Sequence, residues 1–234
     1  MKNKYLKGAH LSERKVRELI KLFCDDLTAT QIASITGISR ITVNAYFKLI
    51  RTHIARFCEE QNPLHVAKAA LAFIPSDNAI PGLESPESGT RKPFYGIYRK
   101  EDHIHADKLP ELESEWLTDW IKGRVEEGTD IAEKHQLHLY KGIADFNNIR
   151  LHRLNGSIGN KSQDEIDLFW GMLKSRLVKF RGLNGGTLYL HVKETEFRYN
   201  YRSADIYEML LDILHQEPLH TSKTMVARES IPGK

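Results

Sequence analysis

Cysteine is almost absent from this chain: its 234 residues contain two, Cys24 and Cys58. Two thiols exclude a disulfide framework and an all-cysteine zinc site. Long apolar runs are missing too. None approaches the ~20 residues that a helix needs to cross a bilayer, so no membrane partner is expected. The stretch Met1–Lys7 is basic, but no apolar signal core follows it. Secretion is therefore not expected, and a cytoplasmic location is. Net charge is small as well, at +3, too little to identify a partner. What is present is ordinary for a globular protein: 41% hydrophobic and 28% charged residues. That is enough apolar material for a core, and the length suits one large domain or a small one plus a medium one.

The distribution of charge is more informative than its sum. Residues 1–60 hold 11 Lys and Arg against 6 Asp and Glu, and the remainder holds 23 against 25. A basic head on a near-neutral body points to a polyanion-binding unit.

Hydrophobic periodicity and capping signals place three helices in this head. The first covers 12–25, with Val16, Leu19, Ile20, Phe23 and Cys24 on one face. A second starts after Thr28, because Thr28 and Gln31 form a capping box, and stops at Gly37. Ser39 caps a third that runs to about Glu59, with Val43, Phe47, Ile50, Ile54 and Phe57 at helical spacing. Beyond it, Val66–Ile74 is an apolar run, and 75–92 is a loop rich in Pro, Gly and Ser. Strands are expected at Phe94–Tyr98, His103–Ala106, Leu137–Tyr140 and Ile149–Leu154. Helices are expected at Ser114–Val125, Asp164–Phe180, 187–200 and 203–215. The order predicts an α+β protein with a mixed sheet and flanking helices.

Residues 28–48 carry the most specific local signal. Small Ala33 permits a close helix crossing, Gly37 makes the turn, and Ile32, Ile38, Val43 and Tyr46 supply core positions. This is the pattern of a helix-turn-helix, with Ser39, Arg40, Thr42, Asn44, Ala45 and Lys48 left exposed on its second helix. Arg pairs with guanine edges and Asn with adenine edges in a major groove. Lys48, Arg51 and Arg56 follow at positions suited to phosphates. Double-stranded DNA is the expected partner.

Three stretches together resemble a known family. Residues 163–183 include Ile166, Phe169, Trp170, Lys174, Arg176, Leu177, Lys179, Phe180 and Gly182. Residues 189–200 read Tyr-Leu-His-Val-Lys-Glu-Thr-Glu-Phe-Arg-Tyr-Asn, and 27–43 form the helix-turn-helix. With Phe94-Tyr-Gly-Ile-Tyr-Arg, these resemble small insertion-sequence transposases of the IS fifteen-ninety-five (ISXO-like) group, over residues 5–215. The resemblance implies a helix-turn-helix domain over 1–62, an RNase H-like mixed sheet with flanking helices over 63–216, and a tail over 217–234. It also implies carboxylates that hold two divalent metals for phosphodiester chemistry, and a homodimer or higher oligomer, since two DNA ends are joined.

Carried over residue by residue, the active site is incomplete. The run Val66–Ile74, expected as the first strand, has no acid, and Asp77 lies just beyond it. His135 falls where the resemblance asks for Asp on the fourth strand, with Asp130 and Glu133 the nearest acids. Asp164, Asp167 and Lys174 remain on one helix face. The expected function is that of a transposase-derived DNA-binding protein without strand transfer, a nucleoid-associated regulator or architectural factor. No cofactor is expected for it. The alternative is an active transposase that uses Asp77 with Asp130 or Glu133 and Mg2+. The pairs His103/His105 and His135/His138 are weaker metal candidates than solvated or hydrogen-bonded histidines. The basic run Lys174, Arg176, Lys179, Arg181 suits a solvated face or a DNA backbone equally. The cysteines and Trp116, Trp120 and Trp170 are expected in or near the core.

Overall fold

A computed structural model describes residues 4–7, 11–64, 92–109, 119, 140–153, 164–179, 185–216 and 219–220. The elements are β1 (Leu6–Lys7), α1 (Glu13–Cys24), α2 (Ala29–Thr36), α3 (Arg40–Glu60), β2 (Phe94–Lys100) and β3 (His103–Lys108). They continue with β4 (Gly142–Asp145), β5 (Arg150–Arg153), α4 (Glu165–Lys179), α5 (Gly185–Asn200), α6 (Ile206–Gln216) and β6 (Leu219–His220). The protein is α+β, as expected, and the chain divides into two compact units. One combines Met1–Gln61 with Tyr201–Lys234, and the other is Asn62–Asn200. Within the first unit, α6 buries Leu210, Leu211 and Leu214 and packs against α1 and α3.

The N-terminal unit is built by its caps. Ser12 accepts a hydrogen bond from the Lys15 amide and opens α1, whose Val16, Leu19, Ile20 and Phe23 are buried. Thr28 and Gln31 form the reciprocal capping box that opens α2. Its last turn gives way to Gly37 at φ +70°, a left-handed conformation that costs glycine least. Ser39 then caps α3, and Val43, Tyr46, Phe47, Ile50, Ile54, Ala55 and Cys58 are buried along its inner face. The Phe23 and Phe47 rings meet edge to face, 4.9 Å between centroids. The tail, which shows no pattern in the sequence, contributes β6, paired parallel with β1.

The second unit carries a four-stranded sheet in the order β3-β2-β4-β5, antiparallel throughout. The expected mixed sheet included Val66–Ile74, so only its antiparallel part falls among the described residues. Short turns join β2 to β3 and β4 to β5, and a short turn can only return a strand antiparallel. The run Val66–Ile74 lies outside the described residues, as do 75–91, 137–139 and, apart from Asp119, the Ser114–Val125 helix. The β2–β3 hairpin and β5 fall where the sequence placed strands. Gly142–Asp145 does not: Tyr140 precedes that strand, and its ring covers Gly96, where a Cβ would lie 2.5 Å away.

Helix α5 is buried around its whole circumference from Leu188 to Tyr199, charges included. Buried charges are tolerated only when paired, and these are. Glu194 lies 2.7 Å from Arg176 of α4 and accepts a hydrogen bond from Arg198 Nε at 2.9 Å. Glu196 accepts from Lys193 Nζ and from the Ala106 amide of β3, both at 3.1 Å. Asn200 both donates to and accepts from the backbone of Ile104, at 2.8 Å each way. The stretch that carries the family resemblance thus fastens α5 to β3 and α4.

Candidate nucleic-acid interface

Helices α2 and α3 are joined by three residues, Gly37–Ser39, and pack on each other through buried Ile32, Val43 and Tyr46. Thr36 Oγ1 donates to the Ile32 carbonyl at 2.7 Å, and Lys15 Nζ donates to the Thr36 carbonyl at 3.1 Å. Both close the C-terminal end of α2, so the turn is held from two sides. The start of α3 is equally fixed. Ser39 Oγ accepts from the Thr42 amide at 3.1 Å and shares a hydrogen bond with Thr42 Oγ1 at 2.8 Å.

The outer face of α3 presents Arg40, Ile41, Asn44, Ala45 and Lys48, all exposed. At roughly 100° per residue they fall within an arc of about 140°. Residues Val43, Tyr46, Phe47, Ile50 and Ile54 occupy the opposite side. Among the described residues, the side chains of Arg40, Asn44 and Lys48 enter no hydrogen bond or ion pair. Two cations and one amide with both donor and acceptor capacity therefore face outward from a rigid helix. Such groups can pair with base edges and phosphate oxygens.

Other expected DNA contacts are placed differently. Arg51 is 8% exposed, and its guanidinium lies over Phe47 and Phe23, 5.1 and 5.6 Å from their centroids. It is an interior cation–π residue. Arg51 stands one turn after Phe47, and its side chain leans back over that ring. The hydroxyls of Ser39 and Thr42 serve the helix cap first. Arg56 is half-buried and lines a groove with His53, Phe57, Glu60, Met209 and Asp212.

The expected catalytic remnant does not form an open carboxylate cluster. Asp164 caps α4, accepting from the amides of Ile166 and Asp167 at 3.0 and 3.1 Å, and pairs with Arg153. Burial alone would raise its pKa. The Asp167 amide, the Arg153 guanidinium and the Ile166 amide outweigh that and hold the carboxyl below the usual range. Asp167 is exposed. Lys174 is exposed too, its ammonium 5.7 Å from the centroid of the Trp170 ring. Asp77, Asp130 and Glu133 lie outside the described residues, as do His135 and His138. In the basic run, Lys174 and Lys179 are exposed, whereas Arg176 is 5% exposed and turned to Glu194. Arg176 is therefore neither solvated nor free to follow a DNA backbone.

Two carboxylates absent from the sequence reading are buried at strand ends, Asp107 on β3 and Asp145 on β4. Gly96 pairs with Asp107 and Phe94 with Asp145, so both acids lie on one sheet face. Each is satisfied internally. Asp107 accepts from Asn62 Nδ2 at 2.6 Å and from Tyr140 OH at 3.3 Å. Asp145 accepts from the Asn147 and Asn148 amides and from Asn148 Nδ2. The signal available in sequence was an Asp at or next to the end of each short strand. His105 is buried beside Glu196, 3.6 Å away, and stacks on Tyr98, while His103 is half-buried. Among the described residues, no three His, Cys, Asp or Glu side chains converge as a metal site.

No protein-family model, curated protein or solved structure matches this chain.

Proposed function

We propose that the chain is a double-stranded DNA-binding protein whose N-terminal unit is a helix-turn-helix with α3 as its recognition helix. One observation carries the reading: Arg40, Asn44 and Lys48 face outward, unengaged by any described residue, from a helix whose other side and N-terminal cap are fixed by the fold. The excess of positive charge in residues 1–60 supports it. In this reading Arg40 and Asn44 contact base edges and Lys48 a phosphate.

The resemblance to insertion-sequence transposases extends the proposal. The body is then an RNase H-like remnant, and the protein is a transposase-derived regulator or architectural factor, nucleoid-associated and homodimeric on paired half-sites. The internal bonding of Asp164 favours this over the enzymatic reading, because Arg153 and two amides already engage the charge that a metal would need.

Selection from a random duplex library tests the proposal. The protein is expected to enrich a short motif, and Arg40→Ala with Asn44→Ala is expected to abolish enrichment while the circular dichroism stays unchanged. Equal enrichment by the double variant would overturn it. Cleavage of the selected duplex in Mg2+ or Mn2+ would favour the active transposase.

A further inference from the structure

The outer face of α3 contains one residue that its polar neighbours do not explain. Ile41 is 82% exposed, the most exposed of the large hydrophobic residues described. Burial of an isoleucine stabilises a fold, and Ile41 forgoes nearly all of that gain. Single exposed hydrophobic residues are common, but the place of this one is specific. It stands one turn before Ala45 on the same helix face. The two form a small apolar strip that lies along the Arg40–Asn44–Lys48 edge.

In the major groove, a thymine offers an apolar feature that no other standard base has there, its C5-methyl group. Water leaves both surfaces when an aliphatic side chain covers that methyl. An aliphatic strip beside a guanidinium, an amide and an ammonium is complementary to a base-pair edge that carries acceptors and a methyl side by side. The charges fix the partner as a polyanion, and the strip selects within it. Resting on the DNA-binding reading above, we infer that Ile41, backed by Ala45, is a specificity-determining residue that reads a thymine methyl beside the bases contacted by Arg40 and Asn44. Ile41 touches no phosphate in this scheme and contributes nothing to non-specific affinity.

The test is a uracil scan of the duplex selected above. Each thymine of the motif is replaced singly by uracil, which removes the methyl and leaves base pairing and the O4 acceptor intact. For the wild-type protein, one position is expected to weaken binding about three- to fivefold, the scale of one buried methyl group. Ile41→Ala is expected to bind the uracil and thymine duplexes equally. Because Ile41 is exposed, the variant keeps the fold, which thermal melting verifies. A scan that is flat for the wild type, or a uracil penalty that persists in Ile41→Ala, would overturn the inference alone. Failure of the wild type to select any duplex would instead remove the DNA-binding reading with it.

Discussion

Glu194 offers the sharpest perturbation of the second unit. Its carboxylate is 1% exposed and faces Arg176 at 2.7 Å and Arg198 at 2.9 Å, both themselves buried. Glu194→Gln keeps the volume and removes the charge, which leaves two buried guanidiniums against one amide. Removing one partner of a buried ion pair costs about 3–5 kcal/mol. With a urea m-value of about 2 kcal/mol/M, the midpoint is expected to fall by about 2 M. Trp170 is buried in the 62–200 unit, and the chain's other two tryptophans fall in the same span of sequence, so tryptophan fluorescence follows this unit. Glu165→Gln is the internal comparison. That residue pairs with Arg99 at 2.8 Å, but the two side chains are 32% and 46% exposed. Exposed pairs contribute about 0.2–1 kcal/mol, so its midpoint should move by less than about 0.5 M. Equal shifts for the two variants, or a Glu194→Gln shift below about 0.5 M, would refute the argument that α5 is anchored by its charges.

Three further outcomes follow from the geometry. Gly96→Ala places a Cβ 2.5 Å from the Tyr140 ring and should cost about 1–3 kcal/mol in the same urea assay; an unchanged midpoint would mean that the ring moves freely. Arg51→Ala should lower the melting temperature followed by far-ultraviolet circular dichroism and leave the salt dependence of DNA binding unchanged; a slope reduced by about one would make Arg51 a phosphate contact after all. Acidification should destabilise the second unit in two steps. Burial lowers the His152 pKa, and the Asp164 carboxyl is also held low. In each case the unfolded chain binds the proton first, so stability is full above the ordinary value and is lost as pH falls. The first loss begins near the ordinary histidine value of 6.5 and should vanish in His152→Gln; the second begins near 3.8. Stability that rises on acidification through either range would contradict the signs.

The sequence was most legible where structure is local. Helices α1, α2 and α3 lie within one residue of the expected limits because Ser12, the Thr28–Gln31 box, Gly37 and Ser39 write those limits directly. The β2–β3 hairpin was legible for the same reason. What escaped depends on distant partners. Arg176 and Glu194 look like surface charges until their helices are packed, and Ala106 meets Glu196 across 90 residues. Strand β4 is four residues, half of them Gly and Ala, and has no periodicity to detect. At the candidate site, Arg40, Asn44 and Lys48 were legible from helical spacing. The burial of Arg51 was not legible, because its helical angle matches that of the exposed residues and only the packed Phe47 and Phe23 rings draw its side chain in.

The central claim is that α3 reads DNA through Arg40 and Asn44. Fluorescence anisotropy on the selected duplex, at low and physiological salt, tests it most directly. Each base-edge contact is worth about 1–3 kcal/mol, so Arg40→Ala with Asn44→Ala should weaken specific binding by about a hundredfold. The same variant should retain most of its affinity for unrelated duplex. Specific binding within about threefold of the wild type would contradict the assignment of α3 as the reading element.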